Sequence, residues 1–246
     1  MLQQNPILAQ GRYHVRQASC AGDIAAARAL RQRGFALAEP DADIFDDTCH
    51  HMLVQDRQTD AIVCCFRLSV LRHRADCQHS YCAQYYDFGH LFDDSSPLLE
   101  MGRFCVEPGV RDADILRAAW AALTVLVDDI RARMLIGCTS FAGTDPAPYF
   151  DALTELSARH LAPESWKLET TAPRTICLAE NADRKPDETR ALAQMPPLLR
   201  SYLAMGGRVS DHAVIDEQMN TLHVFTGLEI DAIPAGRKRL LRALAR

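Results

Sequence analysis

The run Leu98-Leu99-Glu100-Met101-Gly102-Arg103-Phe104-Cys105-Val106 constrains this chain more than any other stretch. It is apolar enough for a core strand, yet it carries an acid, an arginine and a glycine. A buried charge without a partner is costly, so Glu100 and Arg103 must meet partners or face a cleft. A glycine inside a strand often marks a β-bulge, and a bulge at Gly102 shifts the pleat so that Glu100 and Arg103 need not point to opposite faces. It also leaves a backbone N–H free to hold an oxyanion. The same pattern, taken alone, equally fits a structural ion pair on an edge strand.

The flanking sequence supplies a mixed architecture. Residues 12–17, 51–56 and 61–71 alternate as strands, the last two joined by the polar turn Arg57-Gln58-Thr59-Asp60. Within 61–71, Ile62, Cys64, Phe66, Leu68 and Val70 share one face. Residues 22–33 have helical spacing with Asp23 as a cap candidate, and 39–50 form an acidic loop. Ile115, Ala119, Leu123, Leu126, Val127 and Ile130 stripe a helix over about 114–132, capped by Asp112 or Asp114. A buried strand at 134–138 and a helix at 149–160 follow. A short helix runs from Pro197 to Gly206-Gly207, then strands at 208–215 and 222–230. Residues 72–96 carry no clear period, and 161–190 read as an irregular excursion. The 246 residues therefore predict a single domain with a mixed sheet and helices packed on it.

Composition excludes some classes. A net charge of −5 argues against a general nucleic-acid binder. No apolar run reaches about 18 residues, and the N-terminus lacks a signal-peptide pattern. The nine cysteines are scattered without a C-x-x-C pair, which predicts free thiols and a cytoplasmic location. His73, Cys77, His79 and Cys82 match no standard zinc spacing, so no metal site is expected. Trp120 is expected in the core. Residues 237–246 carry five Lys/Arg around Leu240, Leu241 and Leu244. A basic helix over about 235–246 is therefore a candidate for an anionic membrane surface, an acidic protein, or solvent alone.

Glu100-x-Gly102-Arg103-Phe104-x-Val106 follows an Asp43-x-Phe45-Asp46 loop, His51 and a strand carrying Arg67-Leu68. In that setting it resembles the ornithine N-alpha-acyltransferases and, more distantly, the N-acyl-homoserine-lactone synthases. Gly137-Cys138-x-Ser140-Phe141-x-Gly143 and Pro196-Pro197-Leu198-Leu199 with Tyr202-Leu203 and Gly206 extend the likeness to the first family, over most of residues 12–230. The resemblance implies an α/β (α+β) fold of the GNAT acyltransferase type. Its mixed central sheet would be splayed at strand 98–106, with helices on both faces. It implies transfer of a (3-hydroxy)fatty acyl group from acyl carrier protein to the α-amine of L-ornithine, giving a lyso-ornithine lipid. The acyl carrier protein's phosphopantetheine thioester would be a co-substrate and no cofactor would be needed. Acylation of another amino acid, acyl-homoserine-lactone synthesis and a non-catalytic acyl-binding module are the alternatives.

By the same resemblance Glu100 and Arg103 are the catalytic acid and arginine. Arg31, Phe35, Asp43, Asp46, His51 and Arg67 line up with substrate-binding positions, and Gly102, Val106 and Arg111 with the donor side. Departures exist: Phe35 is followed by Ala-Leu where acidic residues are usual, and Gly34 replaces an apolar residue. Residues 111–116, Arg-Asp-Ala-Asp-Ile-Leu, lack the glycine-rich pyrophosphate loop of acetyl-coenzyme-A-dependent relatives.

The chemistry then assigns roles. An amine must lose its proton before attacking a thioester, and Glu100 is the candidate base, its pKa raised by burial. Backbone N–H groups near Gly102 would hold the oxyanion. Free N–H groups of residues 111–115, with Arg111, would hold the donor phosphate. Asp43, Asp46 and Asp47 would either hold the cationic end of ornithine or pair with Arg31 and Arg67. Arg31, Arg67 and Arg103 would receive a carboxylate or form a structural network. No cysteine is required as a nucleophile.

Overall fold

A computed structural model describes residues 7–8, 11–92, 96–181 and 185–245. The N-terminal segment 1–6 and Arg246 of the expected terminal helix lie outside the described residues. The alternating segments pair in sequence order as β1 (Tyr13–Gln17), β2 (His50–Asp56) and β3 (Ile62–Leu71), with α1 (Ala21–Gly34) between the first two. Then come β4 (Tyr86–Asp87), β5 (Leu98–Val106), α2 (Ala113–Ile130) and β6 (Met134–Ala142). The rest is α3 (Phe150–Arg159), β7 (Glu169–Thr170), β8 (Thr175–Cys177), α4 (Glu188–Gln194), α5 (Pro197–Ala204), β9 (Arg208–Asp216), β10 (Thr221–Glu229) and α6 (Ala235–Leu244). Eight strands form one sheet in the order β1-β2-β3-β5-β6-β10-β9-β8, and β4 pairs with β7 separately.

Every neighbour in the large sheet is antiparallel except β5 and β6, which run parallel across α2. Their pairing covers only Leu98–Met134, Leu99–Leu135 and Glu100–Ile136, although both strands continue well beyond. The sheet therefore opens in its middle. Gly137 sits at the parting point, where an added Cβ would stand 2.4 Å from the carbonyl oxygen of Met101. Only glycine lets the two backbones approach this closely before they diverge.

The two faces of the sheet carry different cargo. One packs Leu99, Leu135 and Leu228 against the apolar stripe of α2, including Ile115, Leu123 and Leu126. Each such fully buried side chain contributes roughly 1.5–3 kcal/mol. The Asp112 carboxylate caps α2 by accepting the N–H of Asp114 at 2.9 Å. The other face carries α1 through Ala27 and Leu30, and an aromatic layer holding Tyr86, Phe88, Trp166 and Phe225. Helices thus lie on both faces, as the family resemblance implies.

Some expectations shift. Asp23 is not the cap of α1; Cys20 occupies that position, and Asp23 reaches back from the first turn to accept the N–H of Ser19 at 2.8 Å. Strand β6 runs past Cys138 to Ala142, because Thr139 is buried and satisfies its hydroxyl on Thr226 at 2.6 Å. Segment 161–190 is not wholly irregular: it contributes β7, β8 as the sheet's edge, and the start of α4. Segment 72–96 folds, in its described part, into short 3-10 turns and β4 over the second face.

Candidate active site

Glu100 stands where the sheet opens. It is 4% exposed, on the same face as its strand partners Ser69 and Ile136. One carboxylate oxygen, Oε1, accepts the backbone N–H of Cys82 at 3.0 Å; the other, Oε2, has no hydrogen-bond partner among the described residues. Burial raises the pKa of this carboxyl, against the nearby Ser80 hydroxyl and the hydrogen bond from Cys82. A buried carboxyl with one bonded and one free oxygen can accept a proton from a group placed beside it.

A cavity of about 320 Å³ occupies the gap between the diverging strands. Glu100, Gly102, Arg103 and Phe104 form its β5 wall, and Gly137, Cys138 and Ser140 its β6 wall. Phe35, Val106, Tyr81 and Tyr202 close it on both sides. The bulge lies one residue beyond the predicted position: two residues on β3, Cys65 and Arg67, face Cys105 and Gly102 across one extra residue of β5. Arg103 absorbs it with φ 52°, a left-handed conformation uncommon outside glycine. Gly102 keeps ordinary backbone angles, and nothing lies within 4 Å of where its Cβ would be, so its missing side chain opens the cavity.

Behind Arg103 lies an ion cluster. Asp46 receives Arg28 at 2.9 Å, Arg31 at 2.9 Å and Arg67 at 2.9 Å. Asp43 bridges Arg67 at 2.5 Å and Arg103 at 3.0 Å, and Asp41 bridges Arg31 and Arg103, each at 2.9 Å. Arg31 is 1% exposed. Burial alone would raise the Asp43 carboxyl, but the hydrogen bond and charge of Arg67 and the charge of Arg103 hold it below its ordinary value. Asp46 is held down in the same way by Arg31 and Arg67. The acidic loop is thus occupied by arginines, and Asp47 is exposed. Of the two roles set out for Asp43 and Asp46, the geometry matches pairing with Arg31 and Arg67. The arginine network fixes the wall that presents Arg103, whose guanidinium lies 4.7 Å over the ring of Tyr81.

His51 belongs to this cluster: its Nε2 lies 3.0 Å from the backbone oxygen of Asp46. Asp46, Cys49 and His51 bring ligand atoms within 4.8 Å of one another. The three guanidinium groups already on Asp46 oppose a metal cation there.

A second groove of about 890 Å³ joins the cavity through Phe104, Val106, Pro197 and Leu198. It runs between α2, α5 and α6, with Leu116, Trp120 and Leu241 on its floor and Arg111, Arg117, Arg200 and Arg237 on its rim. Trp120 is buried as expected, its ring edge-on to Tyr202 at 5.1 Å. The N-terminus of α2 is less open than its sequence implies. The N–H of Asp114 goes to the Asp112 carboxylate and that of Ile115 to the Asp112 carbonyl. Anion binding at this end therefore falls chiefly to the arginines.

Three residues of the opened face escaped sequence reasoning as chemistry. Cys138 lines the cavity on β6; His223 lies diagonally across from it on β10, and Asp216 diagonally across from His223 on β9. His223 is 1% exposed, and among the described residues neither ring nitrogen has a hydrogen-bond partner. Asp216 accepts the hydroxyls of Tyr81 at 2.5 Å and Tyr85 at 3.1 Å. No local motif announces the set, because each member sits on a different strand. Alternation in residues 222–230 marks His223 as sharing the face of Phe225, the one signal available.

A parallel strand pair that parts after Glu100 and Ile136, a bulge in the first of the two strands and an apolar groove leading into the gap define an acyltransferase of the GNAT class. Residues 27–121 match the family model described as an acetyltransferase (GNAT) domain. The L-ornithine N(alpha)-acyltransferase of Brucella abortus is 31% identical over 243 residues, covering 91% of this chain and 86% of the relative. That of Rhodobacter capsulatus is 31% identical over 238 residues, covering 90% and 91%. The chain belongs to the L-ornithine N(alpha)-acyltransferase family. FeeM, an N-acyl amino acid synthase from uncultured soil microbes, shares the fold at a TM-score of 0.52 and 8% identity, over 95% of this chain and 97% of that one. TofI in its apo form shares it at 0.50 and 19% identity, over 95% and 99%.

Proposed function

We propose that the protein transfers a (3-hydroxy)fatty acyl group from acyl carrier protein to the α-amine of L-ornithine, forming a lyso-ornithine lipid. The observation that carries this reading is the end of β5–β6 pairing at Glu100, with a long apolar groove opening into the gap beside a buried carboxyl. The acyl chain and pantetheine arm lie along the groove, and the thioester carbonyl enters the cavity between the strands. N–H groups of β5 beyond Glu100, released from β6, serve the oxyanion. Glu100 takes the proton of the attacking amine through Oε2, directly or by one water. Arg103 is tied to Asp41 and Asp43 and shapes the acceptor side with Phe35 and Tyr81.

Acyl carrier protein suits the rim. Arg111, Arg200 and Arg237 are in no ion pair among the described residues, and an acidic partner would meet them at the mouth of the groove. Arg242 of α6 is anchored to Asp128 at 3.0 Å, which leaves Leu240 and Leu244 exposed. The same helix therefore offers a basic, leucine-bearing surface to an anionic bilayer, where an acylated product would be delivered from the cytoplasmic side. Among the described residues no helix is long and apolar enough to cross a membrane.

The test is incubation with 3-hydroxyacyl-acyl carrier protein, with free-thiol detection and mass spectrometry of the products. Thiol release dependent on L-ornithine, with an acyl-ornithine product, is expected. Release with homoserine derivatives or other amino acids but not ornithine would move the acceptor. Donor binding without release under any amine would overturn the reading.

A further inference from the structure

The opened face holds a second reactive group that direct attack on the donor leaves unused. Cys138 is the first side chain of β6 past Gly137 on the face of Glu100, since Glu100 pairs with Ile136 and side chains alternate. Its sulfur lies 3.5 Å from that of Cys82, and the backbone N–H of Cys82 holds Glu100. Across the ladder, Cys138 faces Phe225 while Ser140 faces His223, so imidazole and thiol are diagonal neighbours. On the next strand His223 faces Val214 and Thr221 faces Asp216, which continues the diagonal. The ring of His223 is fixed by Tyr85 at 4.8 Å, Tyr86 at 5.9 Å and Tyr81 at 6.2 Å between centroids. A buried imidazole with two unbonded nitrogens calls for an explanation in terms of what it exchanges protons with. A thiol, a base beside it and an acid beyond the base is the general arrangement of an activated nucleophile.

We propose that Cys138 carries the acyl group in transit, so that transfer proceeds through a thioester on its sulfur, with His223 as its proton partner and Asp216 as the fixed charge behind. This rests on the acyltransferase reading above and adds a step to it. In the first half, the Cys138 sulfur, its proton already on His223, adds to the donor carbonyl. The bond from carbonyl carbon to pantetheine sulfur breaks, and that sulfur leaves with the proton from His223. In the second half, the acceptor amine attacks the Cys138 thioester and Glu100 takes its proton. The carbon–sulfur bond to Cys138 breaks, the amide forms, and the proton held by Glu100 returns to His223. The sum is thioester plus amine to amide plus thiol, with no change of oxidation state.

The charges around Cys138 and His223 agree with this division. Burial pushes the Cys138 thiol up, but the hydrogen bond from Cys82 and the positive charge of His223 pull it below its ordinary value. Burial lowers His223, and the neighbouring Cys138 and the negative charge of Asp216 together outweigh it. Asp216 and Arg103 also face this imidazole, one favouring and one opposing its charge.

The experiment uses the full chain, kept reduced, with 3-hydroxyacyl-acyl carrier protein and no amine. Acid-quenched protein should gain one acyl mass, located on the peptide carrying Cys138 and released by hydroxylamine. Added L-ornithine should discharge it, and double-reciprocal plots for the two substrates should be parallel. Cys138→Ala should lose the adduct and about 100-fold or more in turnover. Cys138→Ser, a closer replacement, should hold the acyl group as a slowly discharged ester. Wild-type turnover by Cys138→Ala overturns the proposal, as does an enzyme that turns over with ornithine yet never gains the mass. Neither result touches the acyltransferase reading, which fails only if thiol release is absent with every amine.

Discussion

Glu100 and Ile136 are the last residues that β5 and β6 share in register, and the next residue of β6 is the glycine that allows the strands to part. Two glycines at this junction separate fold from function. Gly137→Ala would drive a Cβ against the Met101 carbonyl, so it should lower both the melting temperature and the activity. Gly102→Val places its side chain in open cavity, so thermal melts should change little while acyl transfer falls steeply. Strand β-branching tolerates the valine backbone. The two variants, measured side by side by calorimetry and thiol release, should part in this way.

The buried arginine–aspartate cluster is a stability element. Asp46→Asn leaves Arg31 and Arg67 short of a partner and should cost about 3–5 kcal/mol in urea unfolding. The carboxyls of Asp43 and Asp46 are held below their ordinary values in the folded state. Their contribution is therefore complete above about pH 4 and lost as pH falls through the lower folded values. Urea midpoints of the wild type should drop in that acid window, and those of Asp46→Asn should drop less.

Glu100 has the opposite sign. Its carboxyl is raised by burial, so the folded chain keeps this proton longer than the unfolded chain does. The stabilisation is full below the ordinary glutamate range and disappears as pH rises through the raised value. Glu100→Gln, permanently neutral, should gain stability relative to the wild type as pH rises from the ordinary glutamate range through the raised folded value. Paired unfolding curves at the two ends of that interval check the sign.

How much of this was legible in the sequence varies by cause. The bounds of β5 and the existence of α2 follow from local period and from the Asp112 cap, and both agree with the structure. Glu100 and Arg103 stand out because charges in an apolar strand need a reason. Gly102 predicts the bulge because a glycine inside a strand often marks one, but the left-handed residue is Arg103, whose guanidinium pairs with Asp41 and Asp43. Asp41 and Asp43 face those partners only in the fold, so the occupancy of the acidic loop could not be read from its composition. Cys138, His223 and Asp216 are joined solely by ladder register, which no short-range pattern encodes.

The rim of the groove should decide the donor. Arg200→Glu with Arg237→Glu should raise KM for acyl-acyl carrier protein about 10-fold at low salt and leave kcat nearly unchanged. High salt should erase the difference, since exposed charges are screened. With an acyl-pantetheine donor, which lacks the carrier protein, the variant and wild type should match.

The most direct test of the account is the pH dependence of ornithine acylation by the wild type and by Glu100→Gln under saturating donor. The wild-type rate should climb with pH through a group titrating above the ordinary glutamate range, as burial of Glu100 requires. The variant should lose that limb and about 10²–10⁴-fold in rate with its melting temperature retained. A variant that keeps the wild-type rate and the same pH limb would contradict the assignment of the proton-accepting role to Glu100.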